Sequence, residues 1–167
     1  MTDLARHEAG RPTPIAAGRP DETLHVVFKV GDADYALAAE TVLQMESFAG
    51  ATPVPGAAPF VAGIVQIRGR IIPVVDLRIR FGAVAGAPAL DNRIVVGQHG
   101  DRIVGLLVDS AREVVKIEPS KLKPPPAVLT FEGRGFVKAV AQIGPRLVMI
   151  VDFARVIGEE PLDVVAG

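Results

Sequence analysis

The residue types that usually carry chemistry are sparse in this chain and poorly spaced for it. The histidines are His7, His25 and His99. They fall in a Pro/Gly-rich N-terminal stretch, at a strand start and beside a turn, and no pair has metal-ligand spacing. The plain expectation for them is a surface or edge position. The serines Ser47, Ser110 and Ser120 lie outside any Gly-x-Ser-x-Gly setting. There is no cysteine, so no thiol nucleophile, disulfide or zinc-thiolate site. Gly133-Arg134-Gly135 lacks the third glycine of a dinucleotide loop and reads as a turn. Asp76 and Asp152 resemble a carboxylate pair, but each follows an apolar run and precedes a short helical stretch, where a carboxylate caps backbone N–H groups. The reading is a protein without catalytic residues, cofactor or metal.

The arginines carry more information. Arg68, Arg70, Arg78 and Arg80 cluster within GIVQIRGRIIPVVDLRIRFG, residues 63–82. The apolar runs Ile64–Ile67 and Ile71–Val75 flank Arg68-Gly69-Arg70, which reads as a β-hairpin reversing at Gly69 with guanidinium groups at its tip. A guanidinium is a planar, multi-donor fork suited to carboxylate or amide partners.

Residues 139–158, AVAQIGPRLVMIVDFARVIG, repeat this element without gaps. Gln66 falls on Gln142, Arg70 on Arg146, Asp76 on Asp152 and Gly82 on Gly158. Arg68-Gly69 falls on Gly144-Pro145, so the second turn keeps the reversal and drops the charge. A fold requirement is met by either version, which points to recognition for Arg68. The preceding stretches, 25–45 and 93–117, also correspond, with Gly31-Asp32 and Gly100-Asp101 at their hairpin turns. Self-similarity within one chain implies two like units. Each unit reads as a strand, a Gly-Asp turn, a strand, a short helix-like connection (Ala38–Met45; Ser110–Ile117), a hairpin and a capped helix. Helices are expected at Leu77–Phe81 and Asp152–Gly158. Pro73, inside the second strand of its hairpin, places that strand at an edge or a bulge.

These elements make a mainly β protein of two small barrels sharing one core. The expected organisation is a disordered tail (1–22), one domain (23–158) of subdomains 23–85 and 90–158 with possible strand exchange, and a C-terminal tail (159–167). The Pro-bearing stretches 49–59 and 118–128 read as loops and 83–89 as a linker. A net charge of −1 argues against nucleic-acid binding by bulk electrostatics. No apolar run has the length of a membrane span, so the chain is not expected to insert directly. Whether apolar strand residues all enter the core or partly remain as partner-binding edges is left open by the sequence.

The stretch 63–82 resembles the signature of the CheW family of chemotaxis coupling proteins, Gly-Val-x-x-Leu-Arg-Gly-x-Ile-x-Pro-Val-Val-Asp-Leu. Residues 26–45 resemble the family's opening strands and 102–117 its second-half strands. The likeness covers about residues 24–158. It implies two five-stranded SH3-like β-barrels around a common core. It also implies a cytoplasmic, non-enzymatic adaptor recruited to membrane-associated receptor arrays. The implied partners are the cytoplasmic tip of methyl-accepting chemoreceptors and the regulatory domain of a CheA-type histidine kinase. Carried over by position, receptor contact falls on Val42, Gln44, Gly63, Arg68 and Val114, and kinase contact on Met45, Phe48, Lys123 and Val128. Gln44 stands where the family often has an acid, and Val128 where an aromatic can occur. Gly69, Asp76, Gly144 and Asp152 remain the structural turn and cap residues. The alternatives are a small-ligand-binding β-barrel protein, distinguished by a deep polar pocket, and an adaptor of a chemosensory pathway that does not govern motility.

Overall fold

Short runs of Val, Ile and Leu between Gly-centred turns make strands, and the described residues form ten of them. The computed structural model describes residues 23–83, 89–127 and 135–159. The tail 1–22, most of the C-terminal tail and most of the linker and of the turn before Phe136 lie outside that range. The first half contributes β1 (Thr23–Val30), β2 (Ala33–Ala38), β3 (Val42–Ser47), β4 (Val61–Ile67), β5 (Arg70–Asp76) and helix α1 (Leu77–Arg80). The second contributes β6 (Arg93–His99), β7 (Arg102–Val108), β8 (Ser110–Ile117), β9 (Val137–Ile143), β10 (Arg146–Val151) and helix α2 (Phe153–Ile157).

The strands form two five-stranded sheets, ordered β8-β1-β2-β10-β9 and β3-β6-β7-β5-β4. Neither sheet belongs to one half of the chain. Advancing every strand of the first sheet by one repeat turns its order into that of the second. The registers agree with this pseudo-twofold relation. Ile150 pairs with Ala36 in one parallel contact and Val74 with Gly105 in the other. The bulges repeat as well. The register shifts by one residue around Leu43 and Arg112, and again around Ala62 and Lys138.

Those bulges explain one departure from the sequence reading. Ala38–Met45 and Ser110–Ile117 were expected to be helix-like connections. Only Ala39–Thr41 is a 3-10 turn; β3 and β8 are strands. A bulge puts two residues opposite one and breaks the alternation by which a strand is recognised. A second departure concerns Pro73. β5 lies inside its sheet, with β4 on one side and β7 on the other. Pro73 faces Ile64 of β4, and pairing to β7 begins only at Val74. The missing N–H therefore costs no ladder bond there.

The central core is shared between the halves: Val26, Phe28 and Leu37 pack with Val75, Leu77, Val95, Leu106, Val151, Phe153 and Ile157. Each fully buried Leu or Ile in such a cluster contributes about 1.5–3 kcal/mol. A smaller apolar cluster lies in each sheet, one around Val27, Val148 and Ile150 and one around Val96, Ile72 and Val74. Arg80 joins the halves at their pseudo-twofold relation. Its guanidinium carbon lies 3.9 Å from the Phe60 ring centre and 4.8 Å from that of Phe136, the repeat mate of Phe60. Its Nε donates to the Val156 carbonyl at 2.8 Å.

Candidate interaction surfaces

The β4–β5 hairpin closes on a two-residue loop, with Ile67 opposite Arg70. Both loop residues have positive φ, 53° at Arg68 and 80° at Gly69. Two left-handed residues give the reversal that matches the twist of the flanking strands. Glycine takes this conformation freely, whereas an L side chain costs about 1–2 kcal/mol there. In the second hairpin the equivalent position is Gly144, φ 58°. Arg68 is thus the one non-glycine residue with positive φ among the described residues. It is exposed, as is Arg70.

The other two arginines of the cluster do not form part of that surface. Arg78 places Nε and Nη2 at 3.2 Å from the two Asp76 carboxylate oxygens and Nη1 at 3.3 Å from Asp109. Asp109 in turn accepts the Gly31 N–H at 2.6 Å. Arg78 thereby ties α1 to the turn between β1 and β2, and Arg80 is held by Phe60, Phe136 and Val156 as above. Asp76 and Asp152 are helix caps: Asp76 Oδ1 accepts from Arg78 N at 3.0 Å and Asp152 Oδ1 from Arg155 N at 3.2 Å.

His25 is a further correction, because it is buried rather than a surface or edge residue. It occupies a core position of β1 whose repeat mate is Ile94. Burial holds its imidazole below the usual range, against the raising effect of a 3.2 Å contact with the Thr23 carbonyl; nearby Lys138 lowers it further and Glu40 opposes.

A groove of about 610 Å³ opens between β3 and β4, the two edge strands of one sheet. The sheet therefore curls back on itself. Ile64, Val65, Ile67 and Ile94 line the groove with Glu46, Gln66 and Arg68, and Ile71 stands at its rim, 64% exposed. Thr52 crosses nearby, exchanging both backbone bonds with Ile64 at 2.8 and 2.9 Å.

Four expected site residues gather around this seam. Arg68 lines it. Gln44, on β3, donates to the Glu46 carboxylate. Phe48 is half-buried against the apolar cluster of that sheet. Gly63 sits at the β4 bulge with φ 144°, and a Cβ there would stand 2.2 Å from the Thr52 carbonyl oxygen. Its backbone is buried, so its role is close approach of the 51–52 segment. Val42 is 0% exposed and belongs to the central core, where no partner reaches its side chain in this conformation. Val114 lies on β8 in the other sheet, half-exposed. Met45 is exposed on β3. Lys123 is exposed and pairs by backbone with Val140. Val128 lies outside the described residues.

Two exposed apolar strand residues, Ile71 and Leu147, escaped the sequence reading. They are repeat mates of each other, as are the expected contact residues Met45 and Val114, and all four are exposed. Each sheet thus shows one matching apolar pair. The adjacent doublets Ile71-Ile72 and Leu147-Val148 carried the signal, since consecutive strand residues point to opposite faces.

A second groove, about 530 Å³, is lined by Lys29, Asp34, Asp91, Asp109, Glu113 and Arg146. Lys29 pairs with Asp34 at 3.0 Å and Arg146 with Glu113 at 2.7 Å, so these charges satisfy one another. No cluster of three or more metal-ligating side chains occurs among the described residues, and no helix there is long and apolar enough to cross a membrane.

Comparison with known proteins agrees with this geometry. The CheW-like domain profile matches residues 24–160. The chain is 30% identical to "Chemotaxis protein CheW" of Rhizobium meliloti over 135 residues, 81% of this chain and 87% of the relative. It is 28% identical to the protein of the same name from Helicobacter pylori, over 84% of this chain and 85% of that one. The crystal structure of the scaffolding protein TtCheW from Thermoanaerobacter tengcongensis superposes with a TM-score of 0.77 at 29% identity, covering 85% of this chain and 97% of that one.

Proposed function

The chain belongs to the CheW-like family, and from that premise we propose that it is a non-enzymatic adaptor of a chemotaxis signalling assembly. It couples the cytoplasmic tip of transmembrane chemoreceptors to the regulatory domain of a CheA-type histidine kinase, and is recruited from the cytoplasm to receptor arrays. The observation that carries this reading is Arg68. A charged residue held at a backbone conformation that its own repeat mate fills with glycine is explained by something the side chain binds. Receptor contact involves Arg68 and Gln44 beside the β3–β4 seam, with Val114 on the other sheet. Kinase contact uses Met45 and Phe48, with Lys123 on a second face.

The ligand-binding alternative has less support. The polar groove is lined by residues that pair with each other, rather than by unpaired groups converging on a vacant centre. An adaptor that joins two partners needs separate surfaces, and the matching apolar pairs on the two sheets supply them. The test is a calorimetric titration of the chain with the kinase regulatory domain, with and without receptor tip. Micromolar binding that tightens when receptor is present is expected. Equal affinity in both arms, or no binding in either, overturns coupling.

A further inference from the structure

The internal repeat supplies a control for the open groove. Beneath the second sheet, Phe48, Val65 and Ile67 pack, partly buried, on the small apolar cluster; of their repeat mates beneath the first, Ile117 and Ala141 are buried within the cluster and Ile143 packs on it. Among the positions at which the two clusters differ, two bear on the seam. In the first sheet Val115 and Leu122 pack onto the cluster. Their mates in the second sheet are Glu46 and Ala51. The match of Leu122 with Ala51 follows from the backbone bridges one residue on, Lys123 to Val140 and Thr52 to Ile64. With a carboxylate and a methyl group in place of two larger apolar side chains, the β3–β4 seam stays open.

We propose that this seam is a docking slot for a leucine-like side chain, carried on an extended segment of a protein partner and accompanied by a carboxylate that meets Arg68. Leu122 shows the size and chemistry of the group the equivalent seam accepts. Arg68 lines the groove, and among the described residues no carboxylate lies within ion-pair distance of it. Ile71 extends the apolar wall outward to where a partner's backbone would run. The slot deepens the adaptor reading, and rests on it in taking the partner to be a protein.

The probe is an acetylated, amidated Thr-Leu-Asp peptide titrated into methyl-labelled protein and followed at Ile64, Ile67, Ile71 and Ile94. Saturable shifts at these methyls are expected. They should vanish when the peptide's leucine becomes alanine. They should weaken when its aspartate becomes asparagine, but not when the protein already carries Arg68→Ala. Ala51→Leu supplies the plug from within the chain and should abolish the shifts while raising Tm. Methyls that stay unmoved at millimolar peptide overturn the slot. Should Ala51→Leu fail to fold, Glu46→Val restores the other apolar mate; it should weaken the peptide about threefold or more, and unchanged binding overturns the proposal. Kinase and receptor affinities measured in parallel separate the two readings. Full partner affinity in a folded Ala51→Leu protein sinks the slot and leaves the adaptor standing. Peptide shifts in a chain that binds neither partner sink the adaptor reading and leave the slot.

Discussion

At the scale of single residues, the repeat separates what the fold needs from what it carries for another purpose. Arg68→Gly installs the residue its repeat mate already has, and should relieve about 1 kcal/mol of left-handed strain. The expected result is an unchanged or slightly raised Tm by calorimetry together with at least several-fold weaker receptor-tip binding. A lower Tm would make Arg68 structural, and unchanged receptor affinity would return it to ordinary surface charge. His25 makes the converse case. Its imidazole is buried where the repeat has Ile94, and burial lowers its pKa below the ordinary 6.5. The unfolded chain then binds the proton more readily, so stability is complete above about pH 6.5 and is lost as pH falls below it. Melting between pH 7.5 and 5.5 should show this loss, and His25→Ile should flatten it; an equal slope in both proteins refutes the assignment. The caps Asp76 and Asp152 were legible because capping is local. Arg78 and Arg80 were not, because Asp109 and Val156 lie far along the sequence and only the fold brings them near.

At the scale of elements, hairpins and helix starts were readable, while the bulged strands were not. β1–β2, β4–β5, β6–β7 and β9–β10 each turn on two residues that the glycine pattern marks. β3 and β8 are bulged at Leu43 and Arg112 and follow a 3-10 turn or a sharp corner, so their alternation fails. The two capped helices look alike in sequence but differ in setting. Asp76 is buried and binds the Arg78 side chain as well as its N–H, whereas Asp152 is half-buried and only caps. Asp152→Ala should therefore cost about 1 kcal/mol. Asp76→Ala should cost about 2–3 kcal/mol, because it also leaves the Arg78 guanidinium short of a partner. Denaturant midpoints at constant m-value measure both, and equal costs would show that the Asp76–Arg78 pair adds nothing beyond the cap. Gly63 belongs at this scale too. Gly63→Ala would drive a methyl into the Thr52 carbonyl, so its binding defects would report a displaced 51–52 segment rather than a lost contact.

For the whole molecule, two like units in sequence become two sheets that each draw on both halves. The repeat was visible in the residues; the exchange rests on long-range pairing, which local pattern does not encode. β1 pairs with β8, β3 with β6, β2 with β10 and β5 with β7, and each of those contacts joins the first half to the second. The central core is likewise built from Phe28 and Leu77 on one side and Val95 and Phe153 on the other. A half-chain thus keeps hairpins such as β1–β2 and β4–β5 but loses most of each sheet and half the core, and isolated two-stranded hairpins are marginal in water. Residues 23–83 and 89–159, produced separately, should each lack cooperative unfolding by circular dichroism. Mixed in equal amounts they should recover native signal with a concentration-dependent melting point, because the linker contributes only loop-closure entropy to the intact chain. Replacing Arg80 by Leu in the first fragment should weaken reassembly more than it weakens the intact protein, since its contacts with Phe136 and Val156 become intermolecular. A half that melts cooperatively alone would mean that each repeat is a self-sufficient fold and that the exchange of strands is not what holds the molecule together.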